Sequence, residues 1–346
     1  MTQALTTAQF ADVVENYAPL KAAYDWDNSG WNIRCHEEIR SILVCLDVTY
    51  AVLEEAKIPF IPLKGSVLRS YYPEPWQRTS CDIDILVPED RLYEAADALV
   101  GKLNFSAPQK TDHDLSMYAP GGVHLELHYA TIDEGRLPEA QEVLAHVWDD
   151  AKIRDEGSCR HWQSDEMFYF YHIAHMAKHF ENGGCGIRPF LDMWILNHNI
   201  AFDGQKREKL LAEGGMLTFA KEMEKLCEIW FSGTKGDALS QQVGDYVIHG
   251  GMYRNKKNQF AIQRARGKSK AAYFLQKMFL PYKELKKYYP SLENRKWLTP
   301  AYEVARWMKI IFKGGIKRSV HELKTYNEIT KEEIETTEDL LKALDL

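Results

Sequence analysis

The sequence predicts an α/β fold of the α+β kind: a short mixed sheet with flanking helices, followed by a mainly helical C-terminal domain. Three observations predict it. Two short β-rich runs, "CDIDILV" at 81–87 and "GGVHLELHYA" at 121–130, have the apolar content and alternation of half-buried strands. Between them, "EDRLYEAADALVGKL" starts on acids and carries apolar residues at helical spacing. From about residue 165 onward the pattern turns to consecutive helices. The division expected is an N-terminal segment at 1–56, an α/β domain at 57–160 and a helical domain at 161–346.

Taken in order, residues 8–16 have helix-like apolar spacing, and "IRSILVCLDVT" at 39–49 reads as a strand because it is rich in β-formers. "TYAVLEEA" reads as a helix, ended by Pro59 and Pro62 in "IPFIPLKG". "CDIDILV" is closed by Pro88 and followed by its acidic-start helix. In "GGVHLELHYA" the turn glycines precede a clean alternation of Val123, Leu125 and Leu127 against His124, Glu126 and His128. The helical part then reads as "EMFYFYHIAHMAKHF", "PFLDMWILNHNI", "REKLLAEG" and "GMLTFAKEMEKLCEIWF", with more to the C-terminus.

At 346 residues and 45% hydrophobic content the chain is long enough for two domains and a sizeable core. Its net charge of −7 argues against nucleic-acid or membrane affinity of the whole molecule. No apolar run reaches the roughly 18 residues a spanning helix needs, and the start lacks a signal-peptide layout, so a cytoplasmic location is expected. The six cysteines are scattered without paired close spacing and read as reduced thiols.

Asp82 and Asp84 are the anomaly, two carboxylates two residues apart inside an apolar strand. Residues two apart on a strand point to one side, so the pair would repel across a low-dielectric surface unless a cation lay between them. Magnesium takes oxygen ligands and is completed by substrate phosphates, which such a pair suits. Glu126, on the polar face of the later strand, supplies a third carboxylate if the strands are adjacent. Upstream, Gly65 and Ser66 form a turn where backbone N–H groups and a hydroxyl can meet phosphate.

The order Gly-Ser, D-x-D ending an apolar strand, then a lone acid on a later strand resembles the nucleotidyltransferase superfamily that includes polymerase beta and the aminoglycoside nucleotidyltransferases. More closely, "IPFIPLKGSVLRSYYPEPWQRTSCDIDILV", "HLELHYA" and "HIAHMAKHFENGGCGIRPFLD" resemble the uncharacterised family of type-five NTP transferases, over about 57–310. The resemblance implies that Asp82, Asp84 and Glu126 hold magnesium, with manganese as the alternative, Glu126 serving as ligand or as proton acceptor. It implies that Gly65 and Ser66 contact a nucleoside triphosphate. Lys64 and Arg78 also match the family pattern and are assigned to phosphate neutralisation. Alternative readings are a solvated loop charge for Lys64 and an ion pair with Glu74 or Asp82 for Arg78. The acceptor, whether small molecule, protein or RNA, is not implied, nor is the oligomeric state. The rival reading from another class is a non-catalytic protein of the same fold, antitoxin-like or RNA-binding.

Three further stretches carry charged or metal-capable side chains. His172, His175 and His179 share one helix face, but without an H-E-x-x-H context helix packing is preferred to metal binding. Arg188 and Asp192 open the next helix, read as a capping ion pair or as an arginine facing the cleft. Between Arg254 and Lys287 eleven Lys or Arg face one acid, Glu284, with aromatics interleaved. Solvated helix faces are preferred there to an RNA track. Finally, residues 1–56 resemble the truncated start of the dinuclear-metal family named after NGG-interacting factor three. The match stops before that family's later ligands, so Asp25, Asp27, His36 and Asp47 are not assigned to a metal, and a dinuclear hydrolase is disfavoured.

Overall fold

The computed structural model describes residues 44–80, 82–133, 135–250, 255–267, 275, 278–312 and 324–346. Helix α1 (Val44–Glu55) leads into β1 (Ile61–Pro62) and a single helical turn, α2 (Gly65–Leu68). Strand β2 (Asp82–Leu86), helix α3 (Leu92–Leu103), and strands β3 (Gln109–Lys110), β4 (Asp114–Tyr118) and β5 (His124–His128) complete a five-stranded sheet. Its order is β1-β2-β5-β4-β3. The sheet is mixed: β2 and β5 run parallel, and the other neighbours are antiparallel.

One sheet face is apolar. Ile83, Ile85, Leu115, Met117, Leu125 and Leu127 pack with Leu53 of α1 and Leu92, Ala95, Ala96 and Leu99 of α3. Period-two alternation then leaves Asp82, Asp84, Ser116, His124, Glu126 and His128 on the opposite face.

The strand expected at 39–49 is overturned over its described part, which is helical. Leu46, Tyr50 and Leu53 are buried at i, i+4 and i+7, the spacing of one helix face. Packing of that face on the sheet outweighs the β-preference of Val44 and Val48. Residues 39–43, and the helix-like 8–16, lie outside the described residues.

Past a two-stranded ribbon, β6 (Lys152–Ile153) with β7 (His161–Trp162), the chain is helical, with α4 (Pro138–Ala145) and α5 (Val147–Asp150) preceding that ribbon. Helix α6 (Asp165–Phe180) is buried nearly all round, as befits a central helix. Its Ser164 cap accepts a hydrogen bond from the Met167 N–H. Around it stand α7 (Arg188–Asn199), α8 (Gly204–Glu213), α9 (Leu217–Ser232) and α10 (Ala238–Gly250). They are followed by α11 (Lys256–Ala265), α12 (Tyr282–Tyr288), α13 (Thr299–Phe312) and α14 (Lys331–Ala343). This second core also takes in Ile61, Leu63, Val67, Leu68 and Leu86, so the helical layer is fused to the polar side of the sheet. No helix among the described residues is long and apolar enough to cross a membrane.

In the basic stretch Phe260 and Ala261 of α11 are buried against Tyr326 and Ile329, and Ile262 joins the larger helical core. Phe260 is a buried aromatic under a solvated helix, as expected, whereas Phe279 is exposed and Tyr282 half-buried. Arg254, Tyr273 and Phe274 lie outside the described residues.

Candidate active site

Parallel pairing of β2 with β5 sets Asp84 opposite Glu126 and Asp82 opposite His124. The strands are adjacent, and the three carboxylates predicted to converge lie on one face. Asp82, His124 and Glu126 offer ligand atoms all within 4.8 Å of one another, and so do Asp84, Glu126 and His128. Glu126 belongs to both groups. These are mainly hard oxygen donors, the donor type magnesium takes.

Lys64 lies in the same cluster, its Nζ 2.7 Å from Asp84 Oδ1 and 3.9 Å from Glu126 Oε2. The turn that delivers it is fixed at both ends. The Leu63 N–H donates to the Asp84 carbonyl, and the Lys64 carbonyl accepts from Val67 and Leu68. Lys64 itself has φ 45° and ψ −124°, a backbone region that side chains rarely adopt and that costs about 1–3 kcal/mol. That strain is tolerated where an ammonium is held on a buried carboxylate.

His128 completes the cluster. Its Nε2 lies 2.9 Å from Asp84 Oδ1 and 3.3 Å from Glu126 Oε2, and the residue is fully buried. Sequence reading placed His128 on the polar face without a role; its position two residues past Glu126 was the available signal.

The electrostatics are uneven. Burial raises the Asp82 carboxyl above its ordinary value, and the neighbouring Asp84 and Glu126 charges add to the rise. Asp84 goes the other way: burial would raise it, but Lys64 and His128 together hold it low. Glu126 is likewise lowered against its burial by His128 and Lys64. Burial would depress the Lys64 ammonium, yet Asp84 and Glu126 keep it raised. Asp82 is therefore the carboxylate whose charge is least compensated, and an added cation would relieve it.

Gly65 has a packing reason to be glycine. A Cβ there would lie 2.7 Å from Ser80 Oγ and 3.0 Å from Ser80 Cβ. Ser80 in turn donates to the Asp82 carbonyl at 2.8 Å and contacts Asp82 Oδ1 at 3.1 Å, a support that sequence reading missed. The Ser66 hydroxyl is enclosed beside the phenol of Tyr50.

Arg78 donates from Nε to Asp192 Oδ1 at 2.6 Å and from Nη2 to Oδ2 at 2.9 Å. The Tyr72 hydroxyl donates to the same carboxylate at 2.7 Å. Asp192, considered in the sequence as a partner of Arg188, thus ties α7 to the segment before β2. From α6, Tyr171 is buried, and desolvation pushes its hydroxyl pKa up, against the nearby Lys64 charge and with that of Asp84. His172 Nε2 bonds the Pro189 carbonyl at 2.9 Å, and His175 and His179 contact each other through Nε2 at 3.1 Å. The row packs helices, as expected, and is not among the metal-capable groups of the described residues.

This fold and this acidic face define a nucleotidyltransferase-type domain. A family model described as an uncharacterised nucleotidyltransferase matches residues 32–232, and the chain belongs to that family. The search of curated proteins and the search of solved structures each gave no match. The family match begins at residue 32, so it takes in α1; most of the stretch resembling the dinuclear-metal family, 1–43, lies outside the described residues.

Proposed function

We propose that the chain is a magnesium-dependent nucleotidyltransferase that moves a nucleoside monophosphate from a nucleoside triphosphate to an acceptor hydroxyl or phosphate. The observation that carries this reading is the convergence of Asp82, Asp84 and Glu126 on one sheet face, set by the Asp84–Glu126 register. Asp82, Asp84 and Glu126 would hold the divalent ion, magnesium or manganese. When bound, it would neutralise phosphate charge in an in-line displacement.

The chain's own residues have separable tasks. Lys64 balances the buried Asp84 charge and, released by an added cation, is in reach of a phosphate oxygen. The turn at Gly65 and Ser66 would border the triphosphate. Arg78 acts at a distance, fixing α7 to the segment before β2 through Asp192 and bonding the Thr79 carbonyl through Nη1, with phosphate neutralisation assigned to its remaining N–H groups. In the transfer, the acceptor oxygen forms a bond to the α-phosphorus, the bond from that phosphorus to the β-phosphate bridging oxygen breaks, and pyrophosphate leaves. The acceptor proton passes to a carboxylate, for which Glu126 is assigned.

The test is incubation of the purified protein with α-labelled nucleoside triphosphates and cell extract, with and without magnesium. Magnesium-dependent label transfer that is lost in Glu126→Gln supports the reading. Nucleotide binding without any transferred label favours the non-catalytic alternative.

A further inference from the structure

His128 faces the acidic trio with one nitrogen only. Its Nε2 is on Asp84, so its Nδ1 points away from the trio, and Nδ1 is buried without a hydrogen-bond partner. Across the β4–β5 ladder its register partner is Asp114, 3% exposed. Asp114 Oδ2 accepts from the Thr111 hydroxyl at 2.8 Å, while Oδ1 is buried and unpartnered. His113 Nε2 stands 3.5 Å from Asp114 Oδ2, and the two imidazole centroids are 5.2 Å apart. Ligand atoms of His113, Asp114 and His128 all lie within 4.8 Å of one another.

Two buried polar atoms in one small cluster, both without partners, indicate a group that completes them. The spacing says what kind. At 3.5 Å from Asp114 Oδ2, His113 Nε2 is too far for a charge-assisted hydrogen bond, which is about 2.7–2.9 Å long, and Thr111 already holds Oδ2, so Oδ1 is the oxygen left for an ion. Bonds of about 2.0–2.2 Å at tetrahedral angles place ligand atoms about 3.3–3.6 Å apart. Each histidine also has a carboxylate at its other nitrogen. Asp84 is at 2.9 Å from His128 Nε2, and Asp133 is at 2.6 Å from His113 Nδ1, an off-line contact that still orients the ring. Carboxylates behind histidine ligands are the common outer layer of zinc sites.

We infer that His113, Asp114 and His128 form a second metal site, for zinc or a similar first-row divalent ion, with a fourth position left for water or an added ligand. Two imidazoles and one carboxylate select such an ion over magnesium. His113 and Asp114 have no part in the acidic trio; His128 is shared, its Nε2 on Asp84 and its Nδ1 left for the second site. His113, 18% exposed at its side chain, is the way in.

The test uses the full chain, stripped with chelator and titrated with zinc, with metal counted after dialysis and cobalt(II) absorption as a second readout. Expected is one zinc per chain with an intense visible cobalt band, both weakened about ten-fold or more in His113→Ala and in the isosteric Asp114→Asn. Asp82→Asn, which damages the acidic trio, leaves both readouts in place. Zinc uptake unchanged in His113→Ala and Asp114→Asn but lost in Asp82→Asn puts the ion on the acidic trio and overturns the inference, as does a wild-type chain that takes up no zinc. Circular dichroism of each variant separates lost ligands from lost fold.

Discussion

Lys64 Nζ lies 2.7 Å from Asp84 Oδ1, so a cation of the chain itself already sits on the carboxylate that a divalent ion would use. A buried carboxylate that loses its partner is left uncompensated. Lys64→Met should therefore cost about 3 kcal/mol in the metal-free state, softened by the His128 contact that remains. Ammonium and magnesium compete for the same charge, so the variant should show a larger magnesium-induced rise in Tm than the wild type. Thermal melts of both proteins across millimolar magnesium check this; equal rises would separate Lys64 from the metal position.

Asp82 behaves oppositely. Its folded value is raised by burial and by Asp84, so the contribution is fully present below the ordinary carboxylate value and is lost as pH rises through the raised one. At neutral pH the ionised Asp82 burdens the metal-free fold. Asp82→Asn should raise the metal-free Tm by roughly 1–3 °C at pH 7 and flatten the pH profile in the acidic range. It should also abolish the magnesium-induced rise. Melts from pH 4 to 8 with and without magnesium test both halves, and a lower Tm for the asparagine variant would contradict this account of the charge balance.

Arg78 and Asp192 are 114 residues apart in sequence and bonded through two guanidinium nitrogens. Lysine cannot reproduce that fork, so Arg78→Lys should cost about 2 kcal/mol, and Asp192→Asn about 3 kcal/mol because the half-buried guanidinium loses its counter-charge at a buried position. A double-mutant cycle should return a coupling above about 1 kcal/mol, since the two share one contact. Additive losses in denaturant unfolding would mean that the pair does not join the two cores.

What the sequence made visible follows from the range of each signal. Period-two alternation put Asp82 with Asp84 and Glu126 with its histidines, and the apolar residues between them predicted the buried face. The parallel register that brings the two strands together depends on the crossover through α3, which local pattern only implies. β4 was missed because "DLSMY" carries an aspartate and a serine where a strand signal needs apolar residues, and those two face the polar side. α1 was misread over Val44–Thr49 because composition pointed to a strand while Leu46, Tyr50 and Leu53 were already spaced for a helix. Ser80, His128 and the Arg78–Asp192 pair needed coordinates: each takes its role from a neighbour on another segment.

Gly65 offers a test that separates packing from phosphate contact. An added Cβ would press on Ser80 Oγ at 2.7 Å and Ser80 Cβ at 3.0 Å. The hydroxyl is not free to swing aside, because it is bonded to the Asp82 carbonyl and touches the Asp82 carboxylate. Gly65→Ala should therefore cost about 1–3 kcal/mol and move Asp82 as well. Ser80→Ala would leave the 3.0 Å conflict and rescue only part of the loss, whereas Ser80→Gly removes both contacts. In the Gly65→Ala, Ser80→Gly double variant, stability should return to that of Ser80→Gly alone. Unfolding curves of the four proteins measure this. If Gly65 also borders the triphosphate, nucleotide-induced stabilisation stays low in the double variant while the fold recovers, because the methyl group still stands where a phosphate would approach the backbone.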